Sequence, residues 1–262
     1  MCRLLGVERR LVYASEKGVR AAPSPEELAA AQEEFDKSRG VYGARKLAKA
    51  MAKRKTPVLV SRRRAGRIMG RLGLVSKYTM KRRPKKNPPA PNEVAAQNAL
   101  GRQYSGKEPL EAVVSDLTYM KVGGKWAYVC LLVDLASRGI LGYAVGRKRG
   151  AQITKAALFT VKADLRRIKV FHTDNGGEFK NKAVSNILDS FGIARSLSAP
   201  GKPLDNAVAE SMYNTLKIEL GEEFGSMEEL ELELFDYVNW FNNIRLHGSL
   251  GYKTPAECGL PA

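Results

Sequence analysis

The chain has 262 residues, 44% apolar and 27% charged, shares ordinary for a protein that packs a core, so wholesale disorder is excluded. Its longest apolar run, Trp126 to Val133, ends at Asp134, far short of the roughly 20 residues that cross a bilayer, and Cys2, Cys130 and Cys258 are too scattered for a disulfide framework and suit a reducing, cytoplasmic setting. The 44 Lys and Arg against 27 Asp and Glu leave a net charge of +17, which points to a polyanionic partner.

Residues 1–36 read as a mixed helical segment. In SPEELAAAQEEF, Ser24 takes the cap, Pro25 the first turn, and Glu26 and Glu27 the positive end of the helix dipole. The N-terminal residues lack the apolar stretch of a secretory signal.

Residues 37–76 form a basic segment. From Lys37 to Lys86 there are 19 Lys and Arg and no acid, so the rest of the chain holds 25 basic against 27 acidic residues. One segment therefore carries the whole positive field. Ala44, Leu47, Ala48 and Met51 recur at helical spacing, and TPVLVS makes a link. Ser61 then caps RRRAGRIMGRLG, whose stripe of Ala65, Ile68, Met69 and Leu72 stops at Gly73. Arg62, Arg63, Arg64, Arg67 and Arg71 are left for the outer faces. Two readings stand: a helix-turn-helix that contacts DNA through those arginines, or a solvated basic hairpin. Residues 77–107 contain KRRPKKNPPAPNE and read as an extended linker.

Residues 108–262 form the larger domain. EAVVSDLTYMKV, a Gly-Gly turn, WAYVCLLVDLAS and RGILGYAVG predict three strands in hairpin sequence. A helix over 151–165, a strand in IKVFHTDNGG, a helix stopped by Gly192, a strand in IARSLS and two closing helices follow. This order predicts an α/β fold of the ribonuclease H-like type, a mixed sheet with helices on both faces, preceded by the small helix-turn-helix domain.

Three acids fall where that fold gathers side chains: Asp116 within the first strand, Asp174 after the fourth, and Glu210 at the start of a helix. Asp116 interrupts an apolar strand, which costs free energy unless a cation or hydrogen bonds compensate. On a helical wheel Glu210, Asn214 and Lys217 share a polar face opposite Val208, Met212, Leu216 and Leu220. Asp134 also ends a strand and is read as a turn residue. Oxygen ligands of this kind suit Mg²⁺ bound together with phosphate oxygens, and paired ions activate an attacking oxygen and stabilise a leaving one. His172 is read as an ordinary strand histidine, with a supporting role beside the acids as the other choice.

At these residues the chain is recognisable. SDLTYM, HTDNGGEF and DNAVAES, with 35 residues between Asp174 and Glu210, resemble the DDE core shared by retroviral integrases and bacterial insertion-sequence transposases. SRGVYGARKLAKAM and VSRRRAGRIMGRLGL resemble the segment before that core in the OrfB-type transposases of two-frame elements, and YVNWFNNIRLHGSLGYKTPAE resembles their tail. The resemblance implies that Asp116, Asp174 and Glu210 are the catalytic, metal-binding triad. It implies Mg²⁺ as cofactor, Mn²⁺ as a substitute, and two ions per site on DNA. It implies Lys217 as a contact to element-end DNA, and a reaction in which water and then the freed 3′-hydroxyl attack phosphodiesters. The implied partners are double-stranded DNA at transposon ends and target, further copies of the chain, and an upstream OrfA product or fusion; no membrane is implied. HTDNGGEF departs from the HSDQGSQY common in these transposases, and the histidine–cysteine zinc domain of retroviral integrases is missing. Alternatives are a nuclease without joining activity and a non-catalytic DNA-binding regulator or decayed transposase.

Other segments carry weaker signals. SAPGKPLDN, just before Glu210, reads as a loop that closes on DNA with Lys202 on phosphate. Residues 221–236, with seven acids and no Lys or Arg, read as a solvated helix face or a dock for a basic surface. Trp126, Trp240 and Phe241 are read as core aromatics. Arg245 and His247 are read as DNA contacts or as parts of a structural turn.

Overall fold

A computed structural model describes residues 21–80, 108–174, 176, 179, 181–198 and 207–260. Three helices open it: α1 (Pro25–Lys37), α2 (Ala44–Ala52) and α3 (Arg62–Leu72). Ser24 and Glu27 close a reciprocal capping box on α1, which satisfies two otherwise orphaned donors. Ser61 accepts the Arg64 amide at the start of α3, and Gly73 ends it in the left-handed region at φ 69°. A short α4 (Lys77–Met80) follows. The predicted 77–107 linker otherwise lies outside the described residues.

The sheet is built from β1 (Ala112–Val122), β2 (Lys125–Asp134), β3 (Ile140–Gly146), β4 (Val170–Thr173), β5 (Ala194–Leu197) and β6 (Glu223–Phe224). The order is β3-β2-β1-β4-β5, with β6 also on β1. The first three strands are antiparallel neighbours, whereas β4, β5 and β6 add in parallel. Helices α5 (Ala151–Phe159), α6 (Lys182–Ser190), α7 (Ala207–Glu219) and α8 (Met227–Asn243) complete the fold. The expected mixed sheet with helices on both faces is present. Helix α5 ends well before residue 165, because the Thr160 hydroxyl takes the Ala157 carbonyl (2.7 Å) and bonds the Tyr143 backbone of β3 instead of continuing the helix. Gly142 lets this helix lie close, since a Cβ there would stand 2.5 Å from the Ala157 carbonyl oxygen.

Strand alternation splits the core in two. Val113, Cys130 and Leu132 pack with α5, α6 and Phe171 on one face. Val114, Met120, Val129 and Leu131 pack with α7 and α8 on the other, and this second cluster runs on without a break into Phe35, Leu47, Met51 and Ile68 of the opening helices. Polar bonds follow the same seam. Trp240 Nε1 donates to the Lys37 carbonyl at 2.8 Å, and the Leu246 amide donates to the Tyr42 hydroxyl at 2.7 Å. No described helix is long and apolar enough to cross a membrane.

Candidate active site

β1 is long and β-branched where it matches β4. Ser115 pairs with Thr173 in parallel register, so Asp116 and Asp174, the next residues of each chain segment, leave neighbouring strands at the same level. Both acids are half-buried. Asp116 Oδ1 accepts the Leu117 amide at 2.7 Å. Asp174 Oδ1 accepts the Gly176 amide at 3.0 Å, the Asx bond that turns the chain off the strand.

Glu210 stands exposed in the first turn of α7. One turn further on, Tyr213 is buried, and its hydroxyl donates to the Asp116 carbonyl and accepts the Leu131 amide at 2.8 Å. Burial pushes this hydroxyl well above the usual tyrosine range, so it remains a donor. The helix bearing Glu210 is thereby fastened to the strand at Asp116. The sequence reading missed Tyr213, although its spacing of three from Glu210 puts it on an adjoining helix face. Among the described residues, no three His, Cys, Asp or Glu side chains gather closely enough to hold a metal ion. The strands thus bring two acids together, and Glu210 does not join them in a three-ligand cluster.

His172 is fully buried, with Nδ1 2.9 Å from the Ser196 hydroxyl and Nε2 3.1 Å from that of Ser198. Both ring nitrogens are spent tying β4 to β5, which is the strand-histidine role. Asp134 is also fully buried and accepts from the Leu110 amide and from the Ser137 amide and hydroxyl, as a turn residue does.

Comparison with known proteins decides the family. Residues 106–203 and 191–255 match integrase core domain families, and residues 24–83 match an HTH-like domain family. The chain is 31% identical over 229 residues to a protein of Mycobacterium tuberculosis named as a transposase for insertion sequence element IS986/IS6110, covering 83% of this chain and 81% of that one. It is 26% identical to the transposase for insertion sequence element IS904 of Lactococcus lactis, covering 85% and 89%. The chain belongs to the insertion-sequence transposases. Among solved structures, the transposase superposes on a chain of the simian T-cell lymphotropic virus intasome in complex with PP2A regulatory subunit B56 gamma, with a TM-score of 0.51 at 16% identity over 89% of this chain and 76% of that one. That likeness is one of fold.

The basic residues of the transposase divide into two groups. Arg64 binds Glu27 through Nε and Nη2 at 2.5 and 2.6 Å and reaches the Ala21 and Ala22 carbonyls. Arg54 pairs with Glu33 and Glu34, Arg39 with Asp236, and Lys53 with Glu257. These cations hold the helices together. Arg62, Arg63, Arg67 and Arg71 of α3 are exposed and have no bonded partner among the described residues. Lys217 is mostly covered, its Nζ 4.3 Å over the Tyr119 ring and 3.8 Å from Glu222. Lys202 lies outside the described residues.

Arg245 and His247 are buried. Arg245 binds both carboxylate oxygens of Glu219 at 2.7–3.0 Å, so the structural reading of the tail holds. Trp240 and Phe241 are in the core, but Trp126 is 56% exposed, which corrects the expectation that it is a core aromatic. It is the second residue of β2, next to the Gly123–Gly124 turn, and its ring meets the equally exposed Tyr119.

Proposed function

We propose that the transposase cleaves DNA at the ends of its element and joins the freed 3′-hydroxyl to target DNA, with Asp116, Asp174 and Glu210 as its catalytic acids. The observation that carries this reading is the convergence at Asp116: β4 delivers Asp174 beside it, and Tyr213 fastens the helix of Glu210 to the same residue. The donor set fits a hard divalent cation, because it offers carboxylate oxygens and both nitrogens of the nearby His172 are already bonded.

The three acids would hold Mg²⁺, or Mn²⁺ in its place, as two ions on bound DNA; the ions would activate the attacking oxygen and stabilise the leaving one. Glu210 would close on the pair once phosphate and cations offset the repulsion among three carboxylates. Tyr213 keeps its helix in register while it does so. Lys217, two turns after Glu210, faces the phosphate backbone, and Arg62, Arg63, Arg67 and Arg71 of the 37–76 helix-turn-helix hold the duplex, with Lys202 as a further contact from the preceding loop. A multimer bridging two ends, with an OrfA-type partner or fusion, belongs to the same reading.

The decisive variant is Asp116→Asn. Oligonucleotides carrying the element ends are incubated with Mg²⁺ or Mn²⁺, and joined products are resolved by electrophoresis. The expected loss is more than about 100-fold, the upper range for disturbing even an indirect metal contact, with DNA binding retained. Joining at the wild-type rate refutes the assignment. Hydrolysis without joining by the wild type would make the protein a nuclease instead.

A further inference from the structure

β1 has an unusual middle. β4 pairs with it only through Ser115, and β6 only from Lys121 onward. Between them, Asp116 to Met120 present an open edge on the side away from β2. Tyr119 lies on this edge, about 10 Å along the strand from Asp116 at 3.3 Å per residue, and by strand alternation on the opposite face of the sheet, so a nucleic-acid strand end running from one to the other passes over the edge. Tyr119 is 55% exposed and Trp126 56%. The register pairs Tyr119 with Tyr128 and Trp126 with Lys121, so the two rings are diagonal neighbours on one face. They meet edge to face, centroids 5.0 Å apart and planes at 84°.

Both rings stay more than half exposed even with Lys217 standing over Tyr119. Their surroundings are charged. Lys217 Nζ stands 4.3 Å over the Tyr119 ring. Lys125 is exposed beside Trp126, Arg147 bonds the Val122 carbonyl, and Lys121 makes an exposed pair with Glu223 at 3.5 Å. Glu222 and Glu228 share the region through Lys217 and Arg147. The exposed Lys121–Glu223 pair is weak enough for phosphate to replace the carboxylate.

We propose that Tyr119 and Trp126 form a stacking site for one unpaired base at a DNA end, with Lys217 and Lys125 on the phosphates beside it. The inference rests on the reading of Asp116 as part of the reacting centre, because that reading brings a strand end to this edge. A base lifted from its duplex loses a few kcal/mol of stacking and pairing, and aromatic faces return much of that loss whatever the base. The site would therefore favour frayed or tailed ends over blunt ones without selecting sequence.

Trp126 provides its own signal, since the other tryptophan, Trp240, is only 2% exposed. Full-length protein is titrated in EDTA with a blunt duplex and with the same duplex carrying a short single-stranded tail. Tailed DNA is expected to quench tryptophan emission and to bind more tightly than blunt DNA. Trp126→Ala should bind tailed DNA about 5- to 100-fold more weakly with blunt binding unchanged, Tyr119→Leu should lose the same preference, and Trp126→Phe should keep most of it. Circular dichroism checks that the variants fold. Unchanged tail preference in Trp126→Ala overturns the proposal, as does failure of the wild type to bind tailed DNA. An emission shift that follows protein concentration instead of DNA overturns it too, by showing that a second copy covers the pair. Metal is absent throughout, so the result stands apart from the joining assay: a protein that stacks tails but never joins them would refute only the transfer chemistry.

Discussion

His247 is packed edge to face on Phe241, with ring centroids 4.6 Å apart, and lies 3.3 Å from the Arg245 guanidinium. Burial, then the charges of Arg245 and Lys46, hold its imidazole down at about 3. In the unfolded chain it titrates near 6.5, so between those values the unfolded state binds a proton that the folded state refuses. Stability is therefore fully present above about pH 6.5 and drains away as pH falls toward 3. Urea midpoints should drop across that window, and His247→Gln should flatten the dependence; an equal slope in the variant would show that other groups govern it. Residues of this kind sort by how local their partners are. Asp134 was legible as a turn residue because Ser137, which it bonds, is three positions away. Glu219 was not, because its partner Arg245 comes 26 residues later and the helical wheel carries no trace of it. Trp126 misled for a related reason: an aromatic at the start of an apolar strand looks like core until the extent of the covering helices is known.

Helix α3 was legible almost to the residue, since a serine cap, an apolar stripe and a left-handed glycine are all local chemistry. The roles of its arginines were not. Five look equivalent in sequence, yet Arg64 is a strut to Glu27, and hydrogen bonding from Arg64 holds the Glu27 carboxyl below its ordinary value. Arg67→Ala should weaken DNA binding at all sequences and reduce the salt dependence of log K by roughly one charge, about 0.9. Arg64→Ala should instead lower thermal stability while the salt slope moves little. Equal salt slopes for the two variants would refute the division. The elements that escaped prediction, α4 and the two-residue β6, are too short for periodicity to register, and each exists through a distant neighbour: α4 through Glu219 and β6 through β1.

The whole molecule is tied at one buried cluster. Glu219, at the end of the helix that begins near Glu210, binds Arg245 bidentately and accepts from Tyr237 at 3.0 Å and Tyr78 at 2.7 Å, while its carbonyl accepts from Lys77 at 2.8 Å. The helix that bears Glu210, the tail and α4 thus share one carboxylate. Arg245→Ala leaves that carboxylate buried and unpaired, and should cost about 3–5 kcal/mol in denaturant unfolding. A loss below about 1 kcal/mol, the range of an exposed pair, would mean that water already reaches the cluster. The mixed sheet and five of its strands were legible from the strand pattern, but this join was not, because it is made by side chains from separate stretches of the chain. Its consequence is mechanical. With an unbroken apolar seam from Phe35 to Trp240, the arginine helix cannot swivel independently of the acids. On the function proposed above, duplex gripped at one end of the protein would be held at a set bearing and distance from the other, a gauge for where a bound strand is cut.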